Sequence, residues 1–154
     1  MAAFFFDTSA LVKRHVTEAG SGWVRAQTAA KAGHTLYIAS ITSVEMTSAI
    51  TRRQRGGSLT AAQGAAIYGH FRRHLAQRYV VLEITPALMA AAVLLARSHG
   101  LRAYDAVQLA AALDIQRDHQ DMGLAPVTLV SADRDLNAAA TAEGLTVEDP
   151  NLHP

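Results

Sequence analysis

The sequence contains no cysteine, so thiolate metal centres, cysteine nucleophiles and disulfide staples are excluded. It is also short of charge. Only 18% of its 154 residues are charged and the net charge is +1, which leaves no global basic field to attract nucleic acid. Long apolar runs are missing too. The longest beyond the N-terminus, residues 88–96, falls well short of the roughly 20 residues that cross a bilayer. The N-terminal apolar run stops at Asp7 with no basic region before it, unlike a signal peptide. No linker, repeat or low-complexity tract interrupts the chain. These absences predict a soluble, cytoplasmic protein with no membrane partner.

Half of the residues are hydrophobic, enough to build the core of a single domain. Phe4-Phe5-Phe6 reads as a buried strand that ends on a carboxylate, Asp7, and runs into a helix over residues 9–15. Residues 36–39, 79–84, 127–130 and 145–147 read as further strands from their β-branched and aromatic content. Between them, apolar periodicity and stop signals predict helices over 18–31, 42–53, 59–77, 86–98, 103–118 and 133–143. Strands alternating with helices predict an α/β fold, a mostly parallel central sheet sandwiched by helices. Apolar residues crowd the helix at 86–98 on nearly all sides, which predicts its burial. The domain is expected to span residues 1–149, with 150–154 a loose C-terminal tail.

In such a fold, an acid placed just after a strand is delivered to the carboxyl edge of the sheet, where ligands bind. Four acids invite that reading, and each has a local alternative. Asp7 could equally cap the helix that follows it. Glu45 completes the pattern Thr42-Ser43-Val44-Glu45, which fits a capping box. Asp133 follows the strand at 127–130 and could cap the next helix, and Asp135 could take its place at the site. Asp105 has the weakest alternative. Helical spacing puts it on a face with Leu101, Gln108 and Leu109. A helix dipole worth about 0.3–1 kcal/mol does not account for a carboxylate beside a buried stripe, where desolvation opposes the charge. Gathered at one edge, these acids would repel one another unless a cation neutralised them. All-oxygen ligation points to Mg2+ or Mn2+, ions that activate water and orient phosphate. Arg52-Arg53-Gln54-Arg55 and Arg72-Arg73 could form a basic rim for a phosphodiester substrate, although solvated helix faces explain each cluster alone.

With these residues assembled, the chain resembles the PIN-domain ribonucleases, and among them the VapC-type toxins of type II toxin–antitoxin pairs. The matching segments are Phe-Phe-Phe-Asp7-Thr-Ser9-Ala-Leu-Val-Lys, Ser43-Val-Glu45-Met, Gly-Leu-Arg-Ala-Tyr-Asp105-Ala-Val-Gln-Leu-Ala and Leu-Val-Ser-Ala-Asp133-Arg-Asp-Leu. Together they cover nearly the whole chain. The resemblance implies an endoribonuclease dependent on Mg2+ or Mn2+, with Asp7, Glu45, Asp105 and Asp133 as its acidic set and Ser9 ordering the first acid. Asp7 and Asp105 would hold the main metal, while Glu45 and Asp133 would orient water, bind through it or share a second ion. It also implies an RNA substrate, a homodimer and a cognate VapB-type antitoxin. Two other functions remain open on the residues: a phosphatase using Asp7 as nucleophile, and a catalytically inert dimeric module that binds a partner. The i,i+4 pair His70 and His74 lacks the intervening glutamate of a zinc-protease motif and reads as packing or surface. Lys13 and Arg14 read as a solvated helix end.

Overall fold

The computed structural model describes all 154 residues. Five strands, β1 (Ala3–Phe6), β2 (Thr35–Ala39), β3 (Tyr79–Leu82), β4 (Val127–Val130) and β5 (Thr146–Glu148), form one sheet in the order β3-β2-β1-β4-β5. Every pairing is parallel. Seven helices join them: α1 (Thr8–His15), α2 (Ser21–Thr28), α3 (Thr42–Arg55), α4 (Ala61–Gln77), α5 (Pro86–His99), α6 (Ala103–Asp121) and α7 (Arg134–Ala142). The chain therefore has the α/β architecture that its alternating pattern predicts. It builds outward from β1 to β3 and then returns to the other side of β1 for β4 and β5. That reversal opens a crevice beyond the carboxyl ends of β1 and β4.

The phenylalanine run explains why β1 is central. Side chains alternate across a strand, so Phe5 enters the core beneath α5, α6 and α7 while Phe4 and Phe6 enter the core beneath α1 to α4. All three are buried. A fully buried phenylalanine contributes about 1.5–3 kcal/mol, so one short segment fastens both layers to the sheet.

The layer on the Phe5 side is thicker. Ala106 through Ala112 of α6 are all buried, because small side chains let this helix lie close to the sheet with α5 packed outside it. The expectation that α5 is buried is therefore corrected. Only Leu88 and Ala92 of α5 are fully buried, while Met89, Val93 and Leu94 are exposed. Its apolar composition is a surface property.

Two other local readings also change. Lys13 is no solvated helix end: it is buried, its ammonium donates to the Ala19 carbonyl at 2.9 Å, and it pairs with Glu18. Nor is the C-terminus loose. Residues Pro150–Leu152 form a 3-10 turn capped by Asp149, and His153 stacks on Trp23 with ring centroids 4.6 Å apart. Gly20 (φ +82°) makes room for that turn. A Cβ at position 20 would lie 2.2 Å from the Pro150 carbonyl oxygen. Gly20→Ala is expected to destabilise the protein by about 2–3 kcal/mol, combining backbone strain with the clash. An unchanged urea midpoint would rule this out.

At the amino edge of the sheet, the rings of His15, His70 and His74 pack together near Tyr79. The Nδ1 atoms of His15 and His70 stand 3.2 Å apart. The buried His15 Nε2 and Tyr79 hydroxyl have no hydrogen-bond partner.

Candidate active site

The crevice holds a cleft of about 470 Å³ lined by Asp7, Glu45, Asp105 and Asp133, together with Ser9 and three arginines, Arg52, Arg53 and Arg102. Four carboxylates from distant parts of the sequence thus meet at the carboxyl edge. Asp135 is exposed and is not among the lining residues.

Asp7 is fixed most firmly. Its backbone N–H donates to the Val130 carbonyl at 3.0 Å, extending the β1–β4 ladder by one residue. The side chain also caps α1, because Oδ2 accepts from the backbone N–H of Ser9. Capping and site roles are therefore compatible in one residue. Oδ2 further accepts from the Ser9 hydroxyl at 2.5 Å and the Ser131 hydroxyl at 3.3 Å. Ser9 in turn accepts from the backbone N–H of Ala132, and Ser131 from that of Asp133. These hydroxyls stitch the β1 loop to the β4 loop. Oδ1 of Asp7 accepts no hydrogen bond, and Asp7 has no cationic partner. Burial pushes its carboxyl up to about 6, opposed by the bonds from Ser9 and reinforced by the charges of Glu45 and Asp105.

Glu45 does not close a capping box. The N-cap of α3 is Ile41, with no side-chain cap. Instead Glu45 Oε1 accepts from Gln108 Nε2 at 2.7 Å and from the Thr8 hydroxyl at 3.1 Å, while Thr42 is buried and accepts from the same Gln108 amide. Tertiary donors outcompete the local pattern. The capping box of this chain lies at Thr60 and Gln63, at the start of α4.

Asp105 stands in the first turn of α6, and Asp133 is the N-cap of α7. Arg102 joins them, with Nε donating to Asp105 Oδ2 at 3.1 Å and Nη2 to Asp133 Oδ2 at 2.8 Å. The Asp105 carboxyl is raised, by burial first and then by the charge of Asp133, with Arg102 opposing.

Arg102 and Gln108 are site residues that sequence reading did not assign. Each lies three residues from Asp105, one on either side, on the face that helical spacing turns the same way. A glutamine within the alanine run of α6 was the available signal. Arg52 and Arg53 do reach the cleft, whereas Arg72 and Arg73 are exposed on α4 outside it.

No three acidic or histidine side chains stand ready-grouped around one point. The donor set nevertheless suits a hard divalent cation: the carboxylates offer only oxygens, and Asp7 Oδ1 and Glu45 Oε2 are free of hydrogen bonds. A buried carboxylate whose ionisation the fold opposes gains most from such a charge.

Among curated proteins none matches the chain in sequence. Several solved structures share its fold. PAE2754 from Pyrobaculum aerophilum is 23% identical, with a TM-score of 0.62 over 99% of this chain and 86% of its own. VapBC2 from Rickettsia felis, bound to a promoter DNA fragment, gives 14% identity and a TM-score of 0.63 over 96% of this chain and 98% of that one. VapC20 from Mycobacterium tuberculosis, a toxin that cleaves the sarcin–ricin loop, gives 17% identity and a TM-score of 0.63 over 93% and 96%. The family model of the PIN domain matches residues 4–142, taking in every strand but the last and all four cleft carboxylates, and the chain therefore belongs to the PIN domain family.

Proposed function

We propose that this PIN domain is a metal-dependent endoribonuclease, the toxin of a type II toxin–antitoxin pair, working in the cytoplasm on RNA. The observation that carries this reading is the meeting of Asp7, Glu45, Asp105 and Asp133 in one cleft rimmed by arginines. Asp7 and Asp105 would hold Mg2+ or Mn2+, with Glu45 and Asp133 contributing through water. When bound, the ion supplies acidity to a water and charge to neutralise the phosphate. The chain's own residues do the rest. Ser9 and Ser131 hold Asp7 by Oδ2, which leaves Oδ1 free of hydrogen bonds. Gln108 and Thr8 hold Glu45, and the Arg52 and Arg53 guanidiniums can anchor flanking RNA phosphates.

Several observations support the partners. The likeness to toxin–antitoxin complexes supports an antitoxin. The exposed Met89, Val93 and Leu94 on α5 form an apolar face that suits a homodimer. No helix of the chain is long and apolar enough to cross a membrane.

Protein freed of any antitoxin should degrade RNA with Mn2+ present and stop when a chelator is added. Cleavage that persists in chelator would defeat the metal-dependent reading. Hydrolysis of small phosphate esters without RNA cleavage would favour the phosphatase alternative, and folded but inert protein the binding module.

A further inference from the structure

The geometry points to Arg102 as a built-in competitor of the metal ion: it holds Asp133 out of the metal site until it is displaced. This inference rests on the metal-dependent reading of the cleft and concerns how that cleft is regulated.

The hydrogen bonds divide the four carboxylates into two kinds. Asp7, Glu45 and Asp105 each keep one oxygen that accepts nothing, Oδ1, Oε2 and Oδ1 respectively. Asp133 keeps none. Its Oδ1 accepts from the backbone N–H of Leu136 at 2.9 Å, and its Oδ2 accepts from Arg102 at 2.8 Å. The first bond is the N-cap of α7 and belongs to the fold. The second is the only one that can be given up without unwinding a helix end.

Arg102 is suited to leave. It lies just before α6, and 78% of its side chain is exposed, against 15% and 22% for Asp105 and Asp133. Exposed ion pairs are weak and easily exchanged, so the guanidinium acts as a gate and not as a lock. While it stays, one positive charge is shared between two carboxylates, and a dication approaching Asp105 meets that charge as well. Once it leaves, Asp133 is free to join the other three.

Titration calorimetry of metal-stripped protein with Mn2+ tests this without relying on activity. Arg102→Gln is expected to bind Mn2+ about two- to fivefold more tightly than wild type, the range set by breaking a solvent-exposed pair. The gain should shrink in an Asp133→Asn background, leaving only the share that comes from freeing Asp105 of the same guanidinium. Arg52→Gln serves as the control, since Arg52 lines the same cleft and pairs with no acid. An equal gain from Arg52→Gln would mean that only the general field had changed, and would overturn the inference. So would an Arg102→Gln affinity equal to or weaker than wild type, or a gain undiminished in the Asp133→Asn background. A wild-type protein that binds no Mn2+ would overturn both this inference and the metal-dependent reading, whereas wild-type binding unaffected by Arg102→Gln would remove this inference alone.

Discussion

Asp7→Asn is expected to raise the stability of the metal-free protein at pH 7.5 while ending the proposed RNA cleavage. Burial lifts the Asp7 carboxyl from 3.8 to about 6. A group raised in this way supports the fold fully below pH 3.8, and that support is lost as the pH climbs through 6. At about 1.4 kcal/mol per pH unit, ionised Asp7 costs the fold on the order of 2–3 kcal/mol at neutral pH. The amide carries no such charge. Its oxygen can keep the bonds from Ser9 and Ser131, and its NH2 can occupy the Oδ1 position, which accepts nothing. A domain of this size gains roughly 2–4 °C in melting temperature per kcal/mol, so the variant should melt about 5–10 °C higher at pH 7.5. The difference should vanish near pH 4. Calorimetry in EDTA across this range measures it. A variant that melts lower than wild type at pH 7.5, or by a margin indifferent to pH, would refute the account. Cleavage should fall on the order of a hundredfold or more, beyond the loss typical of residues that merely support a ligand. Stability gained as activity is lost would mark Asp7 as a group kept for chemistry.

The second large effect has the opposite pH sense and lies at the other end of the sheet. Burial lowers His15 from 6.5 to about 3, helped by His70, Arg14 and His74. His74 is lowered to about 4, by burial first and then by Arg14 and His70. His70 is lowered as well, by burial and then by Arg14 and Arg73. An imidazole held neutral in the fold contributes stability above its unfolded value of 6.5, and that contribution drains away as the pH falls toward 3. For the largely buried His15 alone, the loss between pH 7.5 and 4.5 is on the order of 2–3 kcal/mol. Asp7 gains over the same interval, so wild type should show only a muted dependence. Asp7→Asn should uncover the histidine loss in full. His15→Phe removes the titration and an unpartnered buried nitrogen, and should stay stable into acid. Urea midpoints for the three proteins at pH 7.5 and 4.5 decide the matter. Equal acid sensitivity in His15→Phe and wild type would show that this cluster does not carry the effect.

The sheet was legible because alternation and strand-end chemistry are local. Phe4-Phe5-Phe6-Asp7 announces a central strand and its terminal acid within four residues. The strand order was not, since it depends on which helix covers which face. Alanine-rich α5 and α6 look alike in sequence, yet only α6 lies against the sheet. The four acids stood out by their spacing from strands and helix starts. What holds them did not. Gln108 reaches Glu45 across 63 residues, and Arg102 reaches Asp133 across 31, distances at which no periodicity speaks. The misread box at Thr42 shows the same limit, since a pattern of hydrogen-bonding side chains states what can form and not what outbids it.

Trp23 is the chain's single indole, and His153 lies flat against it, the two planes inclined by only 8°. The protein therefore carries its own optical reporter of whether the last few residues are seated. A peptide fused after Pro154 that pulled this turn away would change the emission of Trp23, so a tagged preparation can be checked against an untagged one without any added dye.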